Sequence, residues 1–428
     1  MATYLKNKLK GSSKPTASVN QSSVSDTVLS EDEFHDASEE ALPVQTFLHP
    51  DAHVDGGLAF VDKQLLESQR AAVLQLMKEA GKKLLTGNID LVNFSVPVKM
   101  FEPRSYLQKL ADVWVYPNYI AQAADAVDPV ERMRLVITWF VAGLQHVFQS
   151  WRKPFNPILG ETWQAQLSDG TVMYMEQLSH HPPVTAFHMI GAGQKYVFHG
   201  TSQPDVSFKT NAIKTAAKGY RRLTFADGGC IEIEYPVYIM RGIVYTAMPR
   251  GECVGSAKFV DPANRLTCSI EFGRVEGASN PLLQRSDSFQ GHICSTDAPL
   301  QSTSFTDAAS QKRRSLLPRP SLSGLGNAFA SLSVTRSEEQ AHQTPVATCQ
   351  GNWLSHLDWD GQRYWTLSDA HPDKWRPFQN PLPSDCSKRL DLQTLLSGDI
   401  AAAQEMKVEL ENLQRSDAKI RKAAGSLG

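Results

Sequence analysis

The sequence predicts a mainly-β domain of the α+β class, with helices before and after one large antiparallel sheet. Between residues 163 and 272, short runs of β-branched and aromatic residues alternate with turn signals such as Asp169-Gly170 and Asp227-Gly228. Apolar residues at helical spacing lie on both sides of this region. Strands at such close intervals are typical of a meandering antiparallel sheet or barrel.

The composition is that of a globular protein, and its overall charge does not indicate a function. Of 428 residues, 41% are hydrophobic, and the formal net charge of -2 gives no reason to expect nucleic-acid binding. The longest apolar run, residues 135–148, is shorter than the roughly 18 residues of a membrane span and predicts a buried helix. The six dispersed cysteines contain no CxxC pair, which favours a reducing cytosol. No metal site or cofactor is expected.

Residues 1–45 predict a disordered arm. The segment is rich in Ser and has few large apolar residues, so it cannot bury enough surface to offset its conformational entropy. Its lysines come first and its acidic residues follow. A solvated tail is the plain interpretation of such charge blocks.

Helices are predicted to open the folded body. Over residues 61–86, apolar positions recur at helical spacing and Gly87 follows as a stop signal. Pro129 predicts the start of a second, strongly apolar helix that extends to about Gln149.

The strand region is predicted to be interrupted by an insert. The clearest strand patterns are Thr171–Met175, Cys230–Tyr235 and Leu266–Phe272. Residues from about 277 to 347 lose hydrophobic periodicity, which predicts a disordered surface insert. Strand-like sequence resumes at Cys349, with Asp360-Gly361 as a hairpin turn.

Two C-terminal helices are predicted over residues 387–424. In the second helix, Lys407, Glu411 and Arg415 lie at i, i+4 and i+8 and therefore share one face. As a bare pattern, this is more often an ion-pair ladder on a helix surface than a ligand site.

The most unusual string is Glu176-Gln-Leu-Ser-His-His-Pro-Pro183. Its two prolines lack an amide proton and cannot continue a strand ladder, so we expect the segment to leave the sheet with His180 and His181 at the rim. Imidazoles can donate hydrogen bonds to a phosphate. A histidine pair that is merely exposed is the alternative.

A second string, Arg152 to Trp163, leads from the apolar helix into the first strands. Taken alone, it could be a simple helix-to-strand connection. Lys153 and Asn156 nevertheless add polar groups that, together with the two histidines and the C-terminal helix face, could cage a multiply charged phosphate headgroup.

These strings identify a family resemblance. Asn156-Pro-Ile-Leu-Gly-Glu161 and the histidine string resemble, in order and spacing, the two signature motifs of the oxysterol-binding protein related family of lipid-transfer proteins. The similarity covers about residues 60–428, apart from the insert, and looks like a short form without a pleckstrin-homology domain. The resemblance implies a large, incomplete antiparallel β-barrel around a hydrophobic lipid tunnel. It also implies an N-terminal helical lid, further N-terminal helices and C-terminal helices.

The resemblance also implies a function and a site. It implies non-vesicular exchange of phosphatidylinositol 4-phosphate for a counter-lipid, sterol or phosphatidylserine, with no covalent bond made or broken. The implied roles are the 4-phosphate for His180, His181 and Arg415, the phosphodiester for Lys153 and Asn156, and the inositol hydroxyls for Lys407 and Glu411.

The predicted helix over residues 61–86 lies where the family has its lid. An apolar lid would shield a lipid chain from water, at about 25 cal/mol per Å² of apolar surface. Its candidate lid residues are Val73, Leu76, Met77 and Leu84. An ordinary packing helix is the alternative.

The acidic part of the arm resembles the two-phenylalanines-in-an-acidic-tract (FFAT) motif that binds VAP-type receptors of the endoplasmic reticulum. The string is Glu33-Phe-His-Asp-Ala-Ser-Glu39, with His35 where the second aromatic usually stands. The candidate docking residues are Glu33, Phe34, Asp36, Ala37 and Glu39. The expected location is therefore the cytosol, with peripheral association with the endoplasmic reticulum and a second membrane at contact sites.

The insert contains Lys312-Arg-Arg-Ser315, a basic-then-serine string that suits basophilic kinases, although chance explains it equally well. A phosphate on Ser315 would add about -1.5 to -2 charges and weaken adsorption to an anionic membrane.

Two other functions stay open at this point. A sensor or tether would bind the same lipid without net transport. A lipid-modifying enzyme is a remote alternative, because the sequence contains no GxSxG, HExxH or Walker-type motif.

Overall fold

The computed structural model describes residues 47–80, 97–209, 211–246, 248–297, 300 and 343–425. The chain divides between Gln45 and Thr46, and the described residues all belong to the second unit. The docking motif (residues 33–39), Ser315 and Leu84 lie outside the described residues, as do the side chains of Val73, Leu76 and Met77. The predictions that concern them stay predictions.

The described residues form six α-helices, of which four precede most of the strands in the chain and two follow them. They are α1 (Lys63–Ala80), α2 (Tyr106–Leu110), α3 (Pro117–Asp125), α4 (Pro129–Gly143), α5 (Leu390–Leu396) and α6 (Ile400–Gly425). Within the described ranges, none of these helices is both long and apolar enough to cross a bilayer.

Eighteen strands are described. They are β1 (Leu58–Ala59), β2 (Phe101–Ser105), β3 (Lys153–Phe155), β4 (Thr162–Gln166), β5 (Val172–His180), β6 (Pro183–Ile190), β7 (Tyr196–Lys209), β8 (Ala212–Lys218), β9 (Arg221–Phe225), β10 (Cys230–Glu234), β11 (Val237–Arg241), β12 (Arg250–Asp261), β13 (Leu266–Phe272), β14 (Ser288–Thr296), β15 (Gln343–Asn352), β16 (His356–Trp359), β17 (Gln362–Thr366) and β18 (Arg376–Pro377).

Sixteen of these strands form one antiparallel sheet. Its main path runs β17-β16-β15-β14-β13-β12-β10-β9-β7-β6-β5-β4-β18, with β1, β8 and β11 attached at its side. In the described part of the chain, the two ends of this path, β17 and β18, do not pair with each other. The prediction of a mainly-β fold with a large, incompletely closed antiparallel sheet and helices at both ends is therefore confirmed.

The apolar helix α4 packs against this sheet in the main hydrophobic core. The Asp128 side chain caps its start by accepting hydrogen bonds from two backbone N–H groups of the first turn. Trp139 is 1% exposed and packs edge-on against Phe198 of β7, with ring centroids 5.2 Å apart. The α-helix ends before the predicted Gln149, because Leu144–Phe148 continue as a tighter 3-10 turn.

The expectation that the two prolines take the histidine string out of the sheet is wrong. β5 ends at His180, β6 begins at Pro183, and these two residues pair across a hairpin. A proline is tolerated at the first residue of a strand, where its missing N–H is not needed by the ladder. The turn nevertheless leaves His180 and His181 at the end of two paired strands.

The predicted insert, residues 277–347, is too long. β14 lies inside it and pairs with β13 on one side and β15 on the other. β15 also begins at Gln343, before the predicted Cys349. The strand was missed because exposed polar residues separate its buried residues, and the buried position between Phe289 and Ile293 is a glycine, which keeps its apolar content low.

Candidate functional site

One pocket lies at the turn of the β5–β6 hairpin, where segments far apart in the sequence meet. Its volume is 440 Å³, within the about 300–1,000 Å³ typical of ligand sites. It is lined by Phe101, Phe155, Asn156, Ile158, Leu159, Leu178, Ser179, His180, His181, Arg389, Asp391, Lys407, Leu410, Glu411, Gln414, Arg415, Ala418 and Arg421.

The predicted headgroup residues converge on this pocket. Six of the seven line it, namely Asn156, His180, His181, Lys407, Glu411 and Arg415. The seventh, Lys153, is adjacent, and its ammonium group donates a hydrogen bond to Asn156 Oδ1 at 2.5 Å. The fold thus brings both sequence motifs and the C-terminal helix to one place.

The two histidines lie ring against ring at the hairpin turn. Their centroids are 4.6 Å apart and their planes are tilted by 67°. His180 Nδ1 lies 3.2 Å from the carbonyl oxygen of Pro157, which accepts a hydrogen bond when this nitrogen is protonated. Burial, followed by the proximity of His181, lowers the pKa of His180. An anion in the pocket would favour the protonated imidazole, which donates from both nitrogens.

Two lysines lie against the same aromatic ring. In the parallel pair formed by β2 and β3, Phe101 stands opposite Lys153, and Lys153 Nζ lies 4.9 Å from the centre of the Phe101 ring. Lys407 Nζ of α6 lies 5.5 Å from the same centre. Burial, followed by repulsion from Lys407, lowers the pKa of Lys153 to about 7.

The ladder predicted on α6 is present, and it also lines the pocket. Lys407 Nζ lies 2.5 Å from Glu411 Oε1, and Arg415 Nη2 lies 3.2 Å from Glu411 Oε2. The Lys407 side chain is 5% exposed and that of Arg415 is 60% exposed. Glu411 therefore positions one buried and one accessible cation, so the ion-pair ladder and a ligand site are compatible.

A buried ion-pair network supports the turn that carries Asn156. Arg389 Nη1 donates to Glu161 Oε2 at 2.9 Å and to the Asn156 carbonyl oxygen at 2.8 Å. Its Nε and Nη2 donate to the Asp391 carboxylate at 3.0 and 2.7 Å. Glu161 also accepts the backbone N–H of Ile158 at 2.9 Å. Because Glu161 and Asp391 are 1% and 0% exposed, this network fixes the turn between residues 156 and 161.

Sequence reasoning missed two further polar residues of α6 that line the pocket. Gln414 Nε2 is buried and has no hydrogen-bond partner among the described residues. Arg421 lies nearly two turns further along the same face. The signal was available, because continuing the helical spacing from Lys407 and Glu411 leads to Gln414 and then to Arg421.

The helix assigned to the lid is joined to the folded body at its start. Leu66 is buried, and Gln69 Nε2 donates to the Trp151 carbonyl oxygen at 2.9 Å. The Arg70 guanidinium donates to the carbonyl oxygens of Gly242 and Ile243 at 3.1 and 2.9 Å. These contacts describe how α1 is anchored, and the lid assignment of its second half stays a prediction.

Comparison with known proteins gives the family. Residues 82–308 match the family model described as "Oxysterol-binding protein". The chain belongs to the oxysterol-binding protein family. This family consists of lipid-transfer proteins without enzymatic activity, so the prediction that the chain is not an enzyme is confirmed.

Two relatives illustrate the extent of the likeness. Oxysterol-binding protein 9 of Dictyostelium discoideum is 29% identical over 385 residues, covering 88% of this chain and 82% of that protein. Oxysterol-binding protein-related protein 5 of Homo sapiens is 30% identical over 239 residues, covering 52% of this chain but 27% of that protein. The chain therefore corresponds to a minor part of the longer human relative.

Solved structures share the fold. The structure of the Osh3 ORD in complex with PI(4)P, from Saccharomyces cerevisiae, has a TM-score of 0.58 and 21% identity, covering 82% of this chain and 85% of that one. The Osh1 ORD in complex with cholesterol has a TM-score of 0.59 and 18% identity, covering 89% of this chain and 85% of that one. At these identities, the likeness concerns the fold alone.

Proposed function

We propose that this protein extracts phosphatidylinositol 4-phosphate from one membrane and exchanges it for a second lipid at another, without vesicles. The observation that carries the proposal is the pocket at the β5–β6 turn. It gathers Lys407, Arg415, Arg421 and a histidine pair around the Glu411 carboxylate. Such a surplus of hydrogen-bond-donating cations suits a ligand with several phosphate oxygens. The PI(4)P named for the Osh3 structure supports the same ligand class.

The proposed roles are those that the family resemblance implies. His180, His181 and the accessible Arg415 bind the 4-phosphate. Lys153 and Asn156, which are joined by a hydrogen bond, bind the phosphodiester. Lys407 and Glu411 bind inositol hydroxyls, because an ammonium and a carboxylate 2.5 Å apart supply a donor and an acceptor together.

Gln414 is an additional ligand contact in this proposal. A buried amide donor without a partner costs about 1–3 kcal/mol, and a bound inositol or phosphate oxygen would remove that cost. The position of Gln414 on the face of α6 that lines the pocket makes such a contact possible.

The counter-lipid in this proposal is a sterol, which would occupy a hydrophobic tunnel inside the sheet. The cholesterol and ergosterol named for the Osh1 structures support this choice. Phosphatidylserine is the alternative cargo. The arm, through residues 33–39, would bind a VAP-type receptor and hold the exchange at contacts between the endoplasmic reticulum and a second membrane.

The test is headgroup binding in the absence of any membrane. Titration calorimetry with a water-soluble, short-chain phosphatidylinositol 4-phosphate compares the wild type with the double variant His180→Ala/His181→Ala. Each lost hydrogen bond to a charged group is worth about 1.5–3 kcal/mol, so we expect at least a tenfold loss of affinity. His188→Ala is the matched control, because His188 is exposed on the outer face of β6 and does not line the pocket. Equal affinity of the double variant and the wild type would contradict the site.

A further inference from the structure

Two leucines are exposed at the edge of the pocket. Leu159 is 38% exposed and Leu178 is 50% exposed, and both line the pocket. Along β5, Met175 and Gln177 are buried, so the alternation of a strand turns Leu178 to the solvent side. An apolar side chain at that position gains nothing from the core of this domain.

The two leucines are held on adjoining backbone segments. The Gly160 N–H donates to the Gln177 carbonyl oxygen at 2.9 Å, and the Gln177 N–H donates to the Glu161 carbonyl oxygen at 2.9 Å. These bonds tie the turn that carries Leu159 to the strand that carries Leu178. The ion-pair network around Arg389 also holds this turn, through Asn156 and Glu161. The two leucines, named the leucine rim from here on, therefore belong to a rigid edge.

A second exposed part of the pocket lining is cationic. It is the exposed stretch of α6 in which Arg415, Ala418 and Arg421 line the pocket. The Arg415 side chain is 60% exposed. The mouth therefore combines an apolar edge with a positively charged edge.

The geometry points to this mouth as a surface that docks on an anionic phospholipid bilayer, with the leucine rim inserted among the lipids and Arg421 on a lipid phosphate. Apolar residues beside arginines suit the interfacial region of a bilayer, where apolar insertion adds to attraction by anionic lipids. A patch of two leucines is too small for the core of a stable protein interface. The inference rests on the proposed function, because a lipid that enters this pocket must leave a bilayer at its mouth.

The test uses sedimentation of full-length protein with vesicles of phosphatidylcholine and phosphatidylserine that contain no phosphoinositide. We expect the double variant Leu159→Ser/Leu178→Ser to bind about tenfold more weakly than the wild type, since partial burial of two leucine side chains is lost. Arg421→Ala should weaken binding severalfold, and more so at low salt. Val127→Ser is the matched control, because Val127 is 96% exposed between α3 and α4 and does not line the pocket.

Binding of the soluble short-chain lipid separates this inference from the proposed function. Weaker vesicle binding by the leucine variant, together with a wild-type midpoint in urea unfolding that shows that the variant is folded, supports the inference. If the wild type does not bind the soluble lipid but vesicle binding still depends on the leucine rim, the proposed function fails and docking stands.

Two results would overturn the inference. One is vesicle binding that neither the leucine variant nor Arg421→Ala changes. The other is a wild type that does not bind these vesicles but binds polyglutamate through Arg421. That result would make the mouth a binding surface for an acidic protein.

Discussion

At the scale of single residues, the protonation of Lys153 depends strongly on its surroundings. Its ammonium and that of Lys407 lie 4.9 and 5.5 Å from the centre of one Phe101 ring. The ring attracts each cation, but the two cations repel each other. A phosphate beside both would cancel that repulsion and restore the charged form of Lys153. Ligand binding at this site should therefore be linked to proton uptake.

We predict uptake of up to one proton on headgroup binding at about pH 8, where a phosphate monoester is already fully ionised. With its pKa lowered to about 7, Lys153 is largely neutral in the free protein at that pH. The bound anion raises this pKa toward its usual value of about 10.4, so affinity falls as the pH rises above about 7. Calorimetry in buffers of different ionisation enthalpy measures the uptake directly.

Lys153→Arg is the control for this prediction. Arginine keeps its charge at every accessible pH, so the variant should bind the headgroup with less proton uptake and a flatter pH dependence. The same uptake in wild type and variant would assign the proton to another group, His180 being the next candidate.

The site residues that belong to motifs could be predicted from the sequence, but the residues that hold them in place could not. His180, His181, Lys153 and Asn156 follow from two short strings, and Lys407 and Arg415 of α6 follow from helical spacing. Arg389 gave no local signal, because its partner Glu161 lies 228 positions earlier in the chain. A contact of that kind depends on tertiary structure, which no pattern along the chain contains.

At the scale of elements, β14 shows how a strand can escape prediction. Polar residues occupy its exposed positions, and a glycine lies on the buried face between Phe289 and Ile293, which are both 0% exposed. Helices with strong apolar periodicity, such as α4, were predicted as elements, and only their ends differed. A central strand surrounded by Ser-rich sequence lacks the bulk apolar content on which prediction depends.

We predict that Phe289→Ala lowers the free energy of unfolding by about 3–5 kcal/mol, the usual cost of removing a buried aromatic ring. Gln290→Ala, at the neighbouring exposed position of β14, should change it by no more than about 0.5 kcal/mol. Urea unfolding followed by tryptophan fluorescence gives both values. A small effect of Phe289→Ala would mean that this stretch is a dispensable insert after all.

At the scale of the whole molecule, the net charge of -2 conceals local charge. The pocket gathers cations from α6 and Arg389, which directly precedes α5, whereas the predicted docking motif of the arm is acidic. Two opposite local charges therefore serve two proposed partners, a phosphoinositide and a basic receptor surface. The family match from residue 82 onward concerns only the first of them.

We predict that Phe34→Ala abolishes binding to a VAP-type receptor, because this aromatic is the anchor of the motif, and leaves headgroup binding unchanged. Pull-down with the purified receptor domain and calorimetry with the soluble lipid give the two readings. Removal of residues 1–45 should act in the same way. Loss of headgroup binding in either variant would show that the arm contributes to the lipid site.

Lipid exchange between two populations of liposomes tests the central claim most directly. Donor liposomes contain phosphatidylinositol 4-phosphate, acceptor liposomes contain sterol, and both lipids are followed over time. The wild type should move the phosphoinositide chemically unchanged and sterol in the opposite direction, and His180→Ala/His181→Ala should slow phosphoinositide transfer at least about tenfold. Equal transfer rates, a chemically altered lipid, or binding without net transfer would contradict the account.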